Sequence, residues 1–326
     1  MSDFLKTLED SLPSVQHVKL RTEPDCYGMS RMISHKLRLP FTPISFVNWI
    51  HGWGFIDLKY IEQFGVLSRY KNLVGTIAEE RFFKAKGIDA IAVGVPFVYA
   101  KDYDGVHTNR KMNSLLVMPP HGLPYTTEKW DEEDYVNEIV QLKGDFDLIV
   151  ACIHPSCVSK GAWTGVFNKH GIPWISGAEM HDKYALVRMH RIFQSFEFMT
   201  TNCIGSHVAY AAYSGCKVSI YGRFAEFGKE DVKDDVLYMT YPFVMEHNLE
   251  NSTKQSIYRK FPFLFVHPTK ALECVNWASD QLGEGNKISY YQLAVQLGWL
   301  PHQQMYHWTR KIYFKLYKEV SKLFKK

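Results

Sequence analysis

The turn over residues 200–207 contains residue types that could bind a phosphate. It follows the β-prone stretch 196–199 and precedes the apolar, helix-like stretch 208–213. The first N–H groups of such a helix, together with its dipole, favour an anion. The candidate ligands in this turn are a hydroxyl, an amide, a permissive glycine, an N-cap serine and a histidine: Thr201, Asn202, Gly205, Ser206 and His207. An ordinary strand-to-helix turn would look the same, and a capping role for His207 is equally compatible.

Two other turns place a histidine beside glycine or proline. His121 and Gly122 follow the apolar stretch 114–118, at the end of a predicted strand, and they are candidates to contact a bound ligand. The second turn follows the apolar stretch 146–153 and contains His154, Pro155 and Ser156. His154 is the candidate donor to a leaving phosphate, because an imidazole N–H can stabilise developing negative charge.

A candidate general base lies in the first third of the chain. His51 opens a turn with two glycines around an aromatic residue, directly after the strand-like stretch 43–50. Glycines allow backbone and substrate to approach closely. His51 is the first candidate to accept a hydroxyl proton, and Asp57 is the alternative. A purely structural turn histidine fits the pattern equally well.

Weaker candidates occur elsewhere. After the predicted strand 172–176, Glu179 and the pair His181-Asp182 could hold a ribose or base, although a solvated loop is the simpler interpretation. Cys152, His154 and Cys157 lack a fourth ligand at close spacing, so a structural zinc site is disfavoured. A second His-Pro pair, at 267–268, is predicted to end a short apolar strand over 263–266 as a structural turn.

The order of elements predicts the fold class. Four strand-like segments alternate with helix-like segments between residues 114 and 213, which is typical of parallel βαβ units in an α/β protein. Ligands of such sheets bind beyond the carboxyl ends of the strands. The predicted domains are an α/β domain (1–112), a second α/β domain built from these units (113–262) and a C-terminal helical segment (263–326).

Composition limits the class of protein further. The chain has 326 residues, 22% of them charged and 15% aromatic, which indicates a folded protein with ample core. No apolar run reaches 18 residues and the first residues are polar, so we expect a cytoplasmic protein. Six scattered cysteines suit a reducing compartment. The formal net charge of +4 is too small to indicate nucleic-acid binding.

Four motifs resemble those of bacterial GT-B glycosyltransferase-like proteins of surface polysaccharide (capsule or O-antigen, hence lipopolysaccharide) biosynthesis: SLLVMPPHGL (114–123), ACIHPSC (151–157), HGIPWISGAEMHD (170–182) and the segment 200–222. The resemblance implies two Rossmann-like domains facing a cleft, with C-terminal helices. It makes 1–112 the acceptor-side domain and 113–262 the domain that mainly holds a nucleotide-sugar. It also implies no metal and no cofactor beyond the donor. The expected function is transfer of a sugar from that donor to a surface polysaccharide or lipid-linked glycan acceptor.

A narrower similarity is to CMP-sugar transferases that act on sialic acid or Kdo. Those enzymes use a His-Pro pair after the second strand of the C-terminal domain and a Ser/Thr-rich turn after the fourth. His154-Pro155 and then Thr200, Thr201 and Ser206 follow that order here, so a CMP-sugar is slightly favoured as donor. The basic residue that usually precedes the pair is Ile153. The alternative function is a non-catalytic nucleotide- or glycan-binding partner in polysaccharide assembly.

The C-terminal segment 309–326 predicts a basic amphipathic helix. It carries seven Lys or Arg residues against the single Glu319, and its apolar residues recur at helical spacing. Such a helix can lie on an anionic membrane surface, which would make the protein peripheral at the inner face of the cytoplasmic membrane. Packing of the apolar face on the protein itself is the alternative.

Overall fold

A computed structural model describes residues 3–56, 70–103, 105, 109–122, 131–309 and 312. The strands are β1 (Asn48–Trp49), β2 (Asn72–Val74), β3 (Ala90–Ala92), β4 (Lys111–Val117), β5 (Leu148–Ile153), β6 (Trp174–Ser176), β7 (Phe196–Thr201) and β8 (Lys217–Ile220). The first helices are α1 (Asp3–Ser11), α2 (Met29–Lys36), α3 (Ile77–Ala85), α4 (Glu132–Val140), α5 (Pro155–Lys160), α6 (Thr164–Lys169), α7 (Ala185–Ser195) and α8 (Ser206–Tyr213). The later helices are α9 (Val236–Thr240), α10 (Pro242–Ser252), α11 (Lys254–Lys260), α12 (Val275–Leu282), α13 (Tyr290–Gln296) and a C-terminal helix over residues 301–309.

Five parallel strands form the large sheet, in the order β6-β5-β4-β7-β8. The first of these strands in the chain, β4, is therefore central, and the chain builds outward from it first to one side and then to the other. Residues 114–117 of β4 are buried on both faces, as expected for the middle strand of a covered parallel sheet. The α/β class and the parallel arrangement predicted from the sequence are confirmed.

The large sheet has a helical layer on each face. Leu115 and Val117 pack with residues of α4 and α6, whereas Leu116 packs with residues of α7 and α8. This division follows from the strand itself, because successive side chains point to opposite faces. Helices α7 and α8 therefore lie on the face whose core also includes Trp49 and Leu73 of the small sheet described next.

Three short parallel strands form the small sheet, in the order β1-β2-β3. Thr76 caps α3 through a reciprocal capping box with Glu79, which defines where that helix begins. Phe97, just after β3, stacks on Tyr210 of α8 with ring centroids 3.9 Å apart. The small sheet is thus joined to the large one through the helix that carries the predicted phosphate turn.

Two predicted elements differ from the structure. The predicted strand 263–266 is wrong, because Pro262–Leu264 is a 3₁₀ turn that begins at a proline. The predicted strand 43–50 shortens to β1, since Phe46 N–H donates to the Leu297 carbonyl at 3.1 Å instead of to a neighbouring strand. Within the described ranges, no helix combines the length and apolar composition that a bilayer span requires.

Candidate active site

Strand order places a crevice at the carboxyl ends of β4 and β7. The chain after β4 leads through α4 to β5 on one side, and the chain after β7 leads through α8 to β8 on the other. In open parallel sheets this reversal is where ligands bind. The two predicted turns that hold His121 and residues 202–207 begin directly after these strands, so the fold brings them to the same edge.

The first turn of α8 is suited to an anion. Its N-cap, Gly205, has an extended backbone (φ 176°, ψ 177°) and provides no side-chain cap, and the turn contains no acidic residue. Helix α4, which follows β4, differs: Asp131 caps it and its first turn holds three acidic residues, Glu132, Glu133 and Asp134. Negative charge at the start of α4 would repel a phosphate, so α8 is the better anion site of the two.

His154 is held as a neutral imidazole. It is the N-cap of α5, and its Nδ1 accepts from the Ser156 N–H at 3.2 Å and lies 2.7 Å from the Ser156 hydroxyl. Because Nδ1 accepts a hydrogen bond, the proton of the neutral ring is on Nε2. Burial, and then the charge that His121 can carry, lowers the pKa of His154 to about 4. His154 is therefore an N–H donor at neutral pH, as the hypothesis for the leaving group requires.

Three imidazoles cluster at this edge of the large sheet. The His121 and His154 rings stack with centroids 4.2 Å apart, and His121 Nδ1 lies 3.2 Å from the Gly122 carbonyl. His207 Nε2 lies 3.1 Å from the hydroxyl of the fully buried Thr201. Burial, and then the charge of His121, lowers the pKa of His207 to about 3. Neutral imidazoles can donate hydrogen bonds to an anion, so the cluster can contribute donors to a phosphate.

Cys203 lies beside this cluster but is not a candidate nucleophile. Its Sγ is 3.9 Å from His207 Nε2. Burial raises the pKa of the Cys203 thiol to about 11, so the reactive thiolate is scarce at neutral pH. The two cysteines of the disfavoured zinc pattern are apart: Cys152 packs in the core shared by both sheets and Cys157 in the core under α4 and α6.

His51 forms a dyad with Glu23. Its Nδ1 lies 3.0 Å from Glu23 Oε1, and the other oxygen of that carboxylate accepts the Trp49 N–H at 2.6 Å. The imidazole is 38% exposed, so its second nitrogen can reach a substrate. A carboxylate on one nitrogen orients the ring and stabilises its protonated form. This is the chemistry expected of a general base.

Two hydrogen bonds fasten the His51 turn to α8. The Gly52 N–H donates to the Tyr210 hydroxyl at 3.1 Å, and the Trp53 N–H donates to Ser206 Oγ at 2.8 Å. Gly52 has φ +92°, and a Cβ there would lie 2.8 Å from Ser206 Oγ. The candidate base thus lies next to the helix end that can hold the anion. The predicted site residue Ser206 accepts a hydrogen bond from the turn after β1, and this bond joins the two sheets.

The loop after β6 has a different set of partners. Glu179 Oε1 pairs with His17 Nε2 at 2.7 Å, and Asp182 Oδ1 accepts the Gln16 N–H at 3.1 Å. The His181 carbonyl accepts the Val18 N–H at 2.9 Å. The residues predicted to hold a ribose therefore bind the segment that follows α1. Their role in nucleotide binding stays a prediction.

The other predicted residues lie as follows. Pro155 is the first residue of α5. Asn202 is 3% exposed; its Nδ2 donates to the Arg223 carbonyl at 2.9 Å, whereas its Oδ1 is buried and has no hydrogen-bond partner among the described residues. His267 Nδ1 lies 2.9 Å from the Thr269 hydroxyl in a 3₁₀ turn, away from the imidazole cluster in sequence. Asp57, the alternative base, lies outside the described residues.

Sequence reasoning missed Glu23 and Tyr210. Glu23 precedes His51 by 28 residues and nothing in its neighbourhood signals a partner, whereas Tyr210 reads as an apolar position of α8. Two Asp-x-Asp triplets, a metal-binding pattern in some transferases, also occur, at 102–104 and 145–147. Asp102 pairs with Lys287 at 2.8 Å, and Asp147 accepts from Asn113 at 3.0 Å.

Comparisons with known proteins give limited information. No family model matches the sequence, and no curated protein matches it. Among solved structures, the pneumococcal O-GlcNAc transferase GtfA in complex with UDP and GlcNAc matches with 12% sequence identity and a TM-score of 0.30. The match covers 83% of this chain and 52% of GtfA, so the chain spans about half the length of that enzyme. A similarity of this extent assigns no function.

Proposed function

We propose that this protein is a glycosyltransferase that moves a sugar from a nucleotide-sugar donor to a hydroxyl of an acceptor glycan. The observation that supports this most is the His51–Glu23 dyad, fastened through Gly52 and Trp53 to α8, whose first turn has no side-chain cap. A base next to an anion site is what such a transfer needs. A CMP-sugar donor and a surface polysaccharide or lipid-linked acceptor are the finer parts of the proposal.

The proposed reaction is a direct displacement at the anomeric carbon. The acceptor oxygen forms the new bond to that carbon while the bond from carbon to the phosphate oxygen breaks, and the bonding electrons leave with the phosphate. His51 takes the hydroxyl proton, and Glu23 stabilises the imidazolium that results. The first-turn N–H groups of α8 and the Nε2–H of His154 stabilise the negative charge on the leaving phosphate.

The test separates the base from the anion site. His51→Gln removes the proton acceptor, so we expect kcat to fall by roughly 10²–10⁴ while the nucleotide Kd stays within about twofold. Glu23→Gln keeps an acceptor for the Trp49 N–H but loses the charge that orients His51. It should lower kcat by about tenfold or more with the same Kd. Nucleotide release from the donor measures turnover, and titration calorimetry with the free nucleotide measures Kd.

His35→Gln is the matched control, because His35 stacks on Tyr103 and takes no part in the dyad. Unchanged turnover in His51→Gln would show that another group is the base, with Asp57 the next candidate. Nucleotide binding with no turnover for any donor would instead support the non-catalytic partner. The resemblance to GT-B proteins also implies activity in EDTA, and loss of activity there would direct attention to the Asp-x-Asp triplets.

A further inference from the structure

The C-terminal helix presents an exposed apolar face, which we name the C-terminal face. Its described members are large side chains that remain substantially exposed: Met305 (66%), Tyr306 (60%), Trp308 (46%) and Ile312 (57%). Isolated exposed hydrophobic residues are common, but counted at about 100° per residue these four fall within about 160° of the helix circumference, so they share one broad face. Patches of this kind mark surfaces that dock on a partner or a membrane.

The opposite side of the same helix is anchored to the protein. Gln304 Nε2 donates to the Ile44 carbonyl at 2.8 Å, and the His307 ring stacks on Phe46 with centroids 3.7 Å apart. These two contacts fix the rotation of the helix about its axis. Packing of the anchored side of the helix therefore directs Met305 and Tyr306 away from the rest of the protein.

Apolar residues that follow the C-terminal helix in the sequence recur in the same direction around the helix axis as Met305. Counted along the sequence at about 100° per residue, Met305, Ile312, Leu316 and Leu323 fall within an arc of about 40°. The apolar periodicity of segment 309–326 thus continues the direction of the C-terminal face. Residues 310, 311 and 313–326 lie outside the described residues, so their phase is counted from the sequence alone.

Charge and residue type indicate which partner that is. Segment 309–326 carries seven Lys or Arg residues against one Glu. Tyrosine and tryptophan, as at positions 306 and 308, are the side chains enriched at the boundary between lipid and water. Basic groups next to an apolar face attract anionic headgroups while the apolar groups enter the acyl boundary.

We propose that the C-terminal face docks the protein on an anionic lipid bilayer. The inference goes beyond the proposed transferase activity and does not depend on it, because binding to vesicles needs neither donor nor acceptor. If both hold, the docked enzyme works next to acceptors that are themselves held in the bilayer.

The test is co-sedimentation of the full chain with vesicles. We expect binding to phosphatidylcholine vesicles that contain phosphatidylglycerol, weaker binding to pure phosphatidylcholine, and loss of binding as salt rises. The double variant Met305→Asp, Tyr306→Asp should lower the partition coefficient by about tenfold or more, because it replaces apolar side chains with charge. The exposure of both residues means that the fold tolerates the change, which circular dichroism verifies.

Leu272→Asp is the matched control, since Leu272 is 79% exposed but belongs to the segment between a 3₁₀ turn and α12. It should bind vesicles like the natural chain.

Equal binding of the double variant, or equal binding to neutral and anionic vesicles, would overturn the proposal. So would a dimer in sedimentation equilibrium that the double variant converts to monomer, since the C-terminal face would then cover a second copy. Turnover of the double variant with a water-soluble acceptor reports separately on the transferase.

Discussion

At the scale of single residues, the imidazole cluster combines catalytic suitability with a cost in stability. His154 and His207 are neutral because burial, and then His121, disfavour their charged forms. A neutral imidazole has no counter-ion that a phosphate would have to displace before accepting its hydrogen bond. The same burial makes the folded protein resist protonation, so the free energy of unfolding must depend on pH in the range where the free histidine titrates.

We therefore predict a loss of stability in mild acid that depends on His207. Its pKa is about 3 in the folded protein and 6.5 in the unfolded chain, so the unfolded state binds more protons between these values. Stability is fully present above about pH 6.5 and falls as the pH decreases toward the folded pKa. His207→Gln, which keeps a partner for Thr201, should flatten this slope.

Urea unfolding between about pH 7 and about pH 5 measures the effect, because the carboxylates with lowered pKa, such as Asp25 and Glu197, titrate below this window. His154→Gln should flatten the slope as well, because burial also lowers the pKa of His154. Identical slopes for the natural chain and His207→Gln would contradict the prediction.

At the scale of elements, the turn after β1 joins two separately built parts of the molecule. Its backbone N–H groups at Gly52 and Trp53 donate to Tyr210 and Ser206 of α8, and the left-handed conformation of Gly52 allows the approach. A strained or displaced turn would move His51 relative to the anion site. Proximity of the reacting groups is itself a large part of catalysis, so activity should be sensitive to this contact.

Gly52→Ala tests that connection. The substitution places a methyl group 2.8 Å from Ser206 Oγ, which is closer than van der Waals contact, at a positive φ that costs a non-glycine residue roughly 1–2 kcal/mol. We expect a lower melting temperature and, separately, a fall in kcat with little change in the nucleotide Kd. Gly87→Ala is the control, since Gly87 has φ +72° but open space around its Cβ position. It should lose stability only, and an equal loss of kcat in both variants would show that the contact does not position His51.

The elements also show how far sequence reasoning extends. Strands whose apolar runs lie between turn residues, such as β5 and β7, were predictable because burial on both faces leaves a local signal. The fifth strand of the large sheet, β8, was missed, although Lys217–Ile220 alternates polar and apolar residues shortly after Gly215. The predicted strand at 263–266 failed because apolar residues between prolines fit a 3₁₀ turn equally well.

The candidate site was predictable only in part, for a related reason. His51, His154 and the turn at 200–206 carry local signals in glycine, proline and hydroxyl content. Pairing with Glu23 and the bond from Trp53 to Ser206 depend on how the sheets pack, and they join residues 28 and 153 positions apart. A single sequence holds no local trace of such contacts.

At the scale of the whole molecule, both sheets share one buried core, which runs from Trp49 and Leu73 to Leu116 and Met199 through α7 and α8. The anion site is therefore built on a helix that is packed on both sides. A ligand at this site should stabilise the entire cooperative unit. The predicted boundary near residue 112 falls at the start of β4, and the division of the chain into domains there stays a prediction.

A thermal-shift panel of CMP, CDP, UDP and GDP with their common sugar conjugates tests the donor class on the full chain. A nucleotide at about a hundredfold excess over its Kd adds about 2.7 kcal/mol to the free energy of unfolding, which raises the melting temperature by several degrees. We expect a selective shift with CMP that His154→Ala abolishes.

His267→Ala is the control, because His267 also precedes a proline and contacts a hydroxyl two residues on, yet belongs to a different turn. A selective shift with UDP or GDP would retain the transferase and exclude the CMP-sugar donor, and no shift with any nucleotide would favour a glycan-binding partner without transfer.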